Sequence, residues 1–165
     1  MNDVTKKINK EIDKFRKSGN IQKAVETCKR AISENENDAQ LHIKLGDLYM
    51  EWHLDIHQSQ LYADEAITEY QRALEASVDS YEIYFKIGTA FYYKRDLDKA
   101  LNYFKLALEH NTKSSDANYM IAEIFMKKGD LIEAIEYAQQ AISIAPLSSS
   151  RVFSAGRRTG CQRLG

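Results

Sequence analysis

Residues 85–112, FKIGTAFYYKRDLDKALNYFKLALEHNT, and residues 119–146, YMIAEIFMKKGDLIEAIEYAQQAISIAP, align without a gap at an offset of 34. The aligned places carry one pattern: a small residue, three positions, an aromatic or small residue, two positions, then Ala followed by an aliphatic. Working outward, the pattern occurs four times, at Ala24, Cys28, Ala31, Ile32; Ala66, Tyr70, Ala73, Leu74; Ala100, Phe104, Ala107, Leu108; and Ala134, Ala138, Ala141, Ile142. A second pattern lies upstream in three of the four units: Leu45, Gly46, Tyr49; Ile87, Gly88, Phe91; and Ile121, Ala122, Phe125. Spacings of three and four residues put each set on one helical face. Gly19-Asn20, Arg95-Asp96 and Gly129-Asp130 separate the two patterns and suit tight turns between helices. Each unit therefore reads as a pair of antiparallel helices.

The residue types fit such packing. Small side chains at 46, 88 and 122, and at 24, 66, 100 and 134, let helix backbones approach, while Tyr49, Phe91, Phe125, Tyr70 and Phe104 fill the space between them. One hairpin cannot bury its own apolar faces; successive hairpins stacked side by side can. The composition agrees. With 165 residues, 44% hydrophobic, 28% charged, seven Gly and one Pro, the chain suits a folded all-α array and is poor in the punctuation that a β sandwich needs.

These residues resemble the tetratricopeptide repeat family, whose signature is W-x2-L-G-x2-Y, then A-x3-F-x2-A, then P. The Trp place is taken by Ile8, His42, Tyr84 and Asn118, and the Pro place is matched only by Pro146. The resemblance implies an all-α superhelix of helix hairpins over residues 1–148, with units at 5–38, 39–80, 81–114 and 115–148. The first unit matches only in its second helix, Glu11 and Ile12 standing where Leu-Gly is usual. The second is eight residues longer than its neighbours, Ala66 following Tyr49 by 17 positions where the other units have nine. One further turn on each helix accommodates the excess, about 6 Å apiece.

The resemblance also implies a function: a non-catalytic scaffold that holds a peptide or partner protein in a concave groove, lined by one face of each unit's first helix. Among the lining places, Met50, Phe85, Tyr92, Tyr119 and Met126 are expected to give contact area, and Asp47, Thr89 and Glu123 polar selection. The alternative is a regulatory or targeting segment of a larger enzyme. The family's clamp for terminal carboxylates has no counterpart. Its places hold Ile43, Asp47, Lys86, Asp116 and Met120, or Asn9, Asp13, Lys44, Glu82 and Lys86, depending on the unit from which they are counted.

Other chemistry finds little support. No Gly-rich phosphate loop, G-x-S-x-G or placed Cys–His pair is present, so neither enzyme activity nor a cofactor is expected. His53 and His57, at i and i+4, could share a zinc ion, yet no third ligand is fixed, and a polar helix surface explains them better. His42 stands at a packing place and asks for no chemical role. Cys28 and Cys161 share no motif. A net charge of −1 without a basic stripe argues against nucleic acid. The polar opening MNDVTKKINKEIDK is neither secretory signal nor membrane anchor, which points to the cytoplasm.

Residues 149–165 break the pattern. They hold four Arg and neither Lys nor acid, whereas the preceding 148 residues hold 15 Lys and four Arg. This reads as a non-repeat basic tail of non-native, read-through origin, the alternative being a native tail docked on the acidic unit 39–80, whose charge is −6. No polar capping helix follows Pro146, so the helix with Ile135, Ala138, Ile142 and Ile144 should expose part of its apolar face; either the native protein is longer or the end is covered by another chain, and self-association through the array end or the tail is expected.

Overall fold

The computed structural model describes residues 3–56, 60–76 and 80–145. Among them are eight α-helices and no strand: α1 (Asp3–Lys17), α2 (Ile21–Glu34), α3 (Ala39–Ile56), α4 (Gln60–Ala76), α5 (Tyr81–Tyr93), α6 (Leu97–His110), α7 (Ser115–Lys128) and α8 (Leu131–Ile144). The fold is all-α and built of adjacent helix pairs. It divides into two compact units, Met1–Ala107 and Leu108–Gly165. His57, Val78, Pro146 and the tail 149–165 lie outside the described residues, as does the side chain of His53.

Local chemistry sets the helix ends. The side chains of Asn20, Ser80 and Ser114 accept hydrogen bonds from the backbone N–H of Lys23, Ile83 and Ala117, and so cap α2, α5 and α7. Asp38 and Asp96 do the same for α3 and α6, accepting from Leu41 and Lys99. The turns after α1 and α7 need the left-handed backbone that glycine adopts freely, at Gly19 (φ 74°) and Gly129 (φ 87°). In the turn after α5 that conformation falls to Arg95 (φ 64°).

In the first unit α1 packs on α2, α2 on α3, α3 on α4 and α4 on α5. Its core holds Ile12, Ala24, Cys28, Leu45, Leu48, Ala66, Tyr70 and Ile87, all at most 2% exposed. The small residues of the repeat sit where rings press in. A Cβ on Gly46 would overlap the Tyr70 ring, and one on Gly88 would reach 3.0 Å from that of Phe104. Helices α3 and α4, with 18 and 17 residues, exceed the 13 and 14 of α5 and α6. Trp52 stacks on Tyr62 at 4.5 Å between ring centroids and ties these longer helices together. In the second unit α7 packs on α8, with Phe125 stacked on Tyr137 at 5.7 Å.

Candidate partner-binding face

The first helices of successive hairpins in the first unit, α1, α3 and α5, are joined by charge. Lys44 on α3 pairs with Asp13 on α1 at 3.0 Å and donates to Asn9 at 3.2 Å; Arg16 on α1 pairs with Glu51 on α3 at 2.6 Å. Lys86 on α5 pairs with Asp47 on α3 at 2.7 Å and lies 3.8 Å from Glu82. The rungs follow the repeat. Asp13 and Asp47 occupy equivalent places of their units, as do Lys44 and Lys86, so each acid meets the lysine of the next unit. The sequence carries this signal in the recurrence of acid and lysine at fixed register, but reading the acids as ligand selectors hides their pairing.

Asp47, expected to select a ligand, therefore has two partners inside the protein. Its carboxylate takes the Lys86 ammonium and accepts a hydrogen bond from the Tyr70 hydroxyl at 2.8 Å. Lys44 and Lys86, two cations at the family's clamp places, have their charges countered by carboxylates. Met50 is buried at 9% exposure, whereas Phe85, Thr89 and Tyr92 are half-buried. The Thr89 hydroxyl donates to the Phe85 carbonyl one turn back at 2.8 Å, so its oxygen faces along the helix. Phe85 stacks on Tyr81 at 5.5 Å and leans on Phe104 at 5.2 Å, and Tyr92 meets Tyr93 edge-on at 5.9 Å. Tyr93, at another of the repeat's lining places, is 45% exposed and adds to the aromatic surface.

In the second unit Tyr119, Glu123 and Met126 come together. All three line a hollow of about 430 Å³ between α7 and α8, whose other walls are mostly aliphatic. Partial burial and the nearby Glu123 carboxylate raise the pKa of the Tyr119 phenol, so it stays a neutral donor. Met126 is 61% exposed. Among the described residues no group of three or more His, Cys, Asp or Glu is arranged to hold a metal ion, and no helix is long and apolar enough to cross a membrane.

Comparison with known proteins agrees with this architecture. No curated protein sequence matches the chain. Among solved structures, a crystal structure of MamA protein superposes with a TM-score of 0.74 at 25% identity, covering 88% of this chain and 75% of that one. A second crystal structure of MamA gives 0.71 at 25% identity over 82% and 74%. TTC0263, a thermophilic TPR protein of Thermus thermophilus, shares the fold with a TM-score of 0.71 at 19% identity, over 88% of this chain and 76% of its own. Residues 85–149 match the family model for the tetratricopeptide repeat. Repeated anchors and helix pairs agree with this match, which assigns residues 85–149 to the tetratricopeptide repeat, and the chain as a whole has the fold of these repeat proteins.

Proposed function

We propose that this protein is a non-catalytic scaffold that holds a peptide or partner protein on the faces of its first helices. Tetratricopeptide repeats act generally as protein-interaction surfaces, and a stack of hairpins offers a long, regular face rather than an enclosed reaction chamber. The observation that carries the reading is the half-buried aromatic surface of α5, where Tyr92 and Tyr93 meet edge-on beside Thr89 on the adjoining turn. Tyr offers large contact area at low rotamer cost and a polar tip for orientation. Phe85 and Thr89 border this patch in the first unit; Tyr119, Glu123 and Met126 supply the corresponding groups in the second. Asp47 and Met50 contribute at its margin. On α5 the two charges, Glu82 and Lys86, cancel and Lys86 is further paired with Asp47, which favours a ligand of mixed apolar and polar character there over a strongly charged one.

A displayed peptide library selected on the full chain tests the proposal. Selected peptides should bind in the micromolar range, and Tyr92→Ala or Thr89→Lys should weaken them by about tenfold or more. Selected peptides indifferent to both substitutions would remove α5 as the site. An acidic peptide ending in a free carboxylate should not be enriched, because Asp47 and Glu82 stand beside Lys86.

A further inference from the structure

We propose that the hollow between α7 and α8 is filled by α8 of a second copy of this chain, the two helices lying antiparallel about a twofold axis. This rests on the reading of Tyr119, Glu123 and Met126 as part of a protein-binding surface, and names the protein that binds there.

Equivalent places in the repeat show what the hollow lacks. On α4, Ala63 and Ile67 are 0% and 6% exposed, with α5 packed on that helix. The same places on α8 hold Leu131 and Ile135, at 62% and 58% exposed. Ile142 adds 52% and Met126 61%. A contiguous aliphatic face of this kind marks an interaction surface.

The repeat also defines the chemistry of a helix that fits. Helix α3, which packs on α2, and helix α5, which packs on α4, each bury an aliphatic stripe at i, i+4 and i+7: Leu41, Leu45 and Leu48, and Ile83, Ile87 and Ala90. Helix α1 does not offer it. At its equivalent places stand Lys7, Glu11 and Lys14, all exposed, so a head-to-tail stack through that face of α1 would bury charge against Leu131 and Ile135. The stripe does recur on α8 itself, as Leu131, Ile135 and Ala138, continued by Ile142, and all four line the hollow.

The spacing of that stripe is palindromic: four, three and four residues separate 131, 135, 138 and 142. Two such helices placed antiparallel bring Leu131 against the partner's Ile142 and Ile135 against the partner's Ala138. A large residue then meets a small one next to the axis, as close packing of helices requires. The only charges on α8, Glu133 and Glu136, lie outside the stripe; the antiparallel arrangement sets Glu133 beside the partner's Gln140, whereas a parallel one would set it beside the partner's Glu133. The interface is self-complementary and closes at two copies. One helix long and two wide, it lies at the small end of specific interfaces, about 1,200 Å² in total, so dissociation in the micromolar range is expected.

The test is the mass of the full chain by sedimentation equilibrium from about 1 µM to about 1 mM, a range that brackets micromolar dissociation. The mass should double across the series. Ile135→Glu and Ile142→Glu should each weaken the dimer by about tenfold or more, while Lys14→Glu leaves it unchanged. The side chains replaced on α8 are exposed in the single chain, so far-UV circular dichroism and melting should confirm that both variants fold. Mixing Ile135→Cys with Ala138→Cys, each in a Cys161→Ser background, should yield a disulfide-linked heterodimer on mild oxidation. A chain that stays monomeric overturns the proposal, whether the tail, a different partner or only solvent occupies the hollow. So does a dimer insensitive to both Glu substitutions, or one that forms no such cross-link. None of these outcomes touches peptide binding on α5, which Tyr92→Ala reports separately.

Discussion

Lys86 Nζ lies 2.7 Å from Asp47 Oδ1, so a lysine of one repeat neutralises an acid of the repeat before it. The same oxygen accepts the Tyr70 hydroxyl at 2.8 Å, and these two contacts differ in energy because they differ in burial. The Lys86 side chain is 24% exposed and that of Asp47 41%, so their ion pair is well solvated. Lys86→Met should cost less than about 1 kcal/mol, and the cost should shrink in high salt. Asp47→Ala strands the hydroxyl of a Tyr70 that is only 2% exposed. That should cost about 1–3 kcal/mol and be nearly independent of salt. Urea unfolding of both variants at two ionic strengths separates the effects; equal costs would show that the carboxylate serves the lysine alone.

Gly46 has a packing role that its helix propensity obscures. In an exposed helix Gly→Ala is worth about 1 kcal/mol of stabilisation. Here a Cβ would overlap the Tyr70 ring, and that ring is held by its hydroxyl on Asp47. Gly46→Ala should therefore destabilise by about 1–3 kcal/mol, since overpacking outweighs propensity. At Gly88 the Cβ would come to 3.0 Å from Phe104, whose ring has no hydroxyl to anchor it. Gly88→Ala should be the milder of the two in thermal denaturation, and the reverse order would refute the anchoring role of Asp47.

The repeat pattern is legible in the sequence because it is a packing pattern. Ala24, Ala66 and Ala100 are each 0% exposed, and spacing alone marks them as one contact made repeatedly. The charges are harder to read. Asp47 and Lys86 are 39 positions apart, and only the superposition of hairpins makes them neighbours, so single-helix reasoning offers Asp47 to a ligand. His42 stands at a packing place of the repeat, and its contact with Glu69 is hidden because Glu69, 27 positions on, carries no local sign that it turns inward. On α8 the aliphatic stripe itself is legible from its periodicity, and its members Leu131, Ile135 and Ile142 are 62%, 58% and 52% exposed.

Cys28 should behave as an inert apolar residue. Its thiol is 0% exposed and donates to the Leu41 carbonyl at 3.5 Å. Burial, the largest influence, pushes its pKa up to about 12 from an ordinary value of 9.0. Burial and the adjacent Asp47 carboxylate likewise raise the Tyr70 phenol above its usual range. In a Cys161→Ser background iodoacetamide should label the protein only as fast as it unfolds. The sign of the linkage is fixed: a group whose pKa is raised in the native state holds its proton more tightly there, so its contribution is complete below the unfolded pKa. For Cys28 it is lost as pH climbs from about 9 towards 12. Stability should fall over that interval, and Cys28→Ala should flatten the fall; an unchanged slope would place the titrating group elsewhere.

His42 and Glu69 form the most buried ionisable pair among the described residues. The ring Nδ1 lies 2.7 Å from Glu69 Oε2, and the two side chains are 5% and 7% exposed. The ring Nε2 meets the Glu36 carbonyl at 2.9 Å, and Glu69 Oε1 takes Arg72 at 2.9 Å. Every polar atom of the pair thus has a partner, the condition under which buried charge is tolerated. His42→Ala would leave the Glu69 carboxylate with Arg72 alone, whose own side chain is 56% exposed. That should cost about 3–5 kcal/mol, as breaking a buried pair from one side does. Replacing both residues, His42→Leu with Glu69→Leu, removes the stranded charge together with its partner and should cost far less than the two single substitutions combined. A coupling energy of about 2 kcal/mol or more in the double-mutant cycle is expected, and strict additivity would show that the pair is held in place by its surroundings rather than by each other.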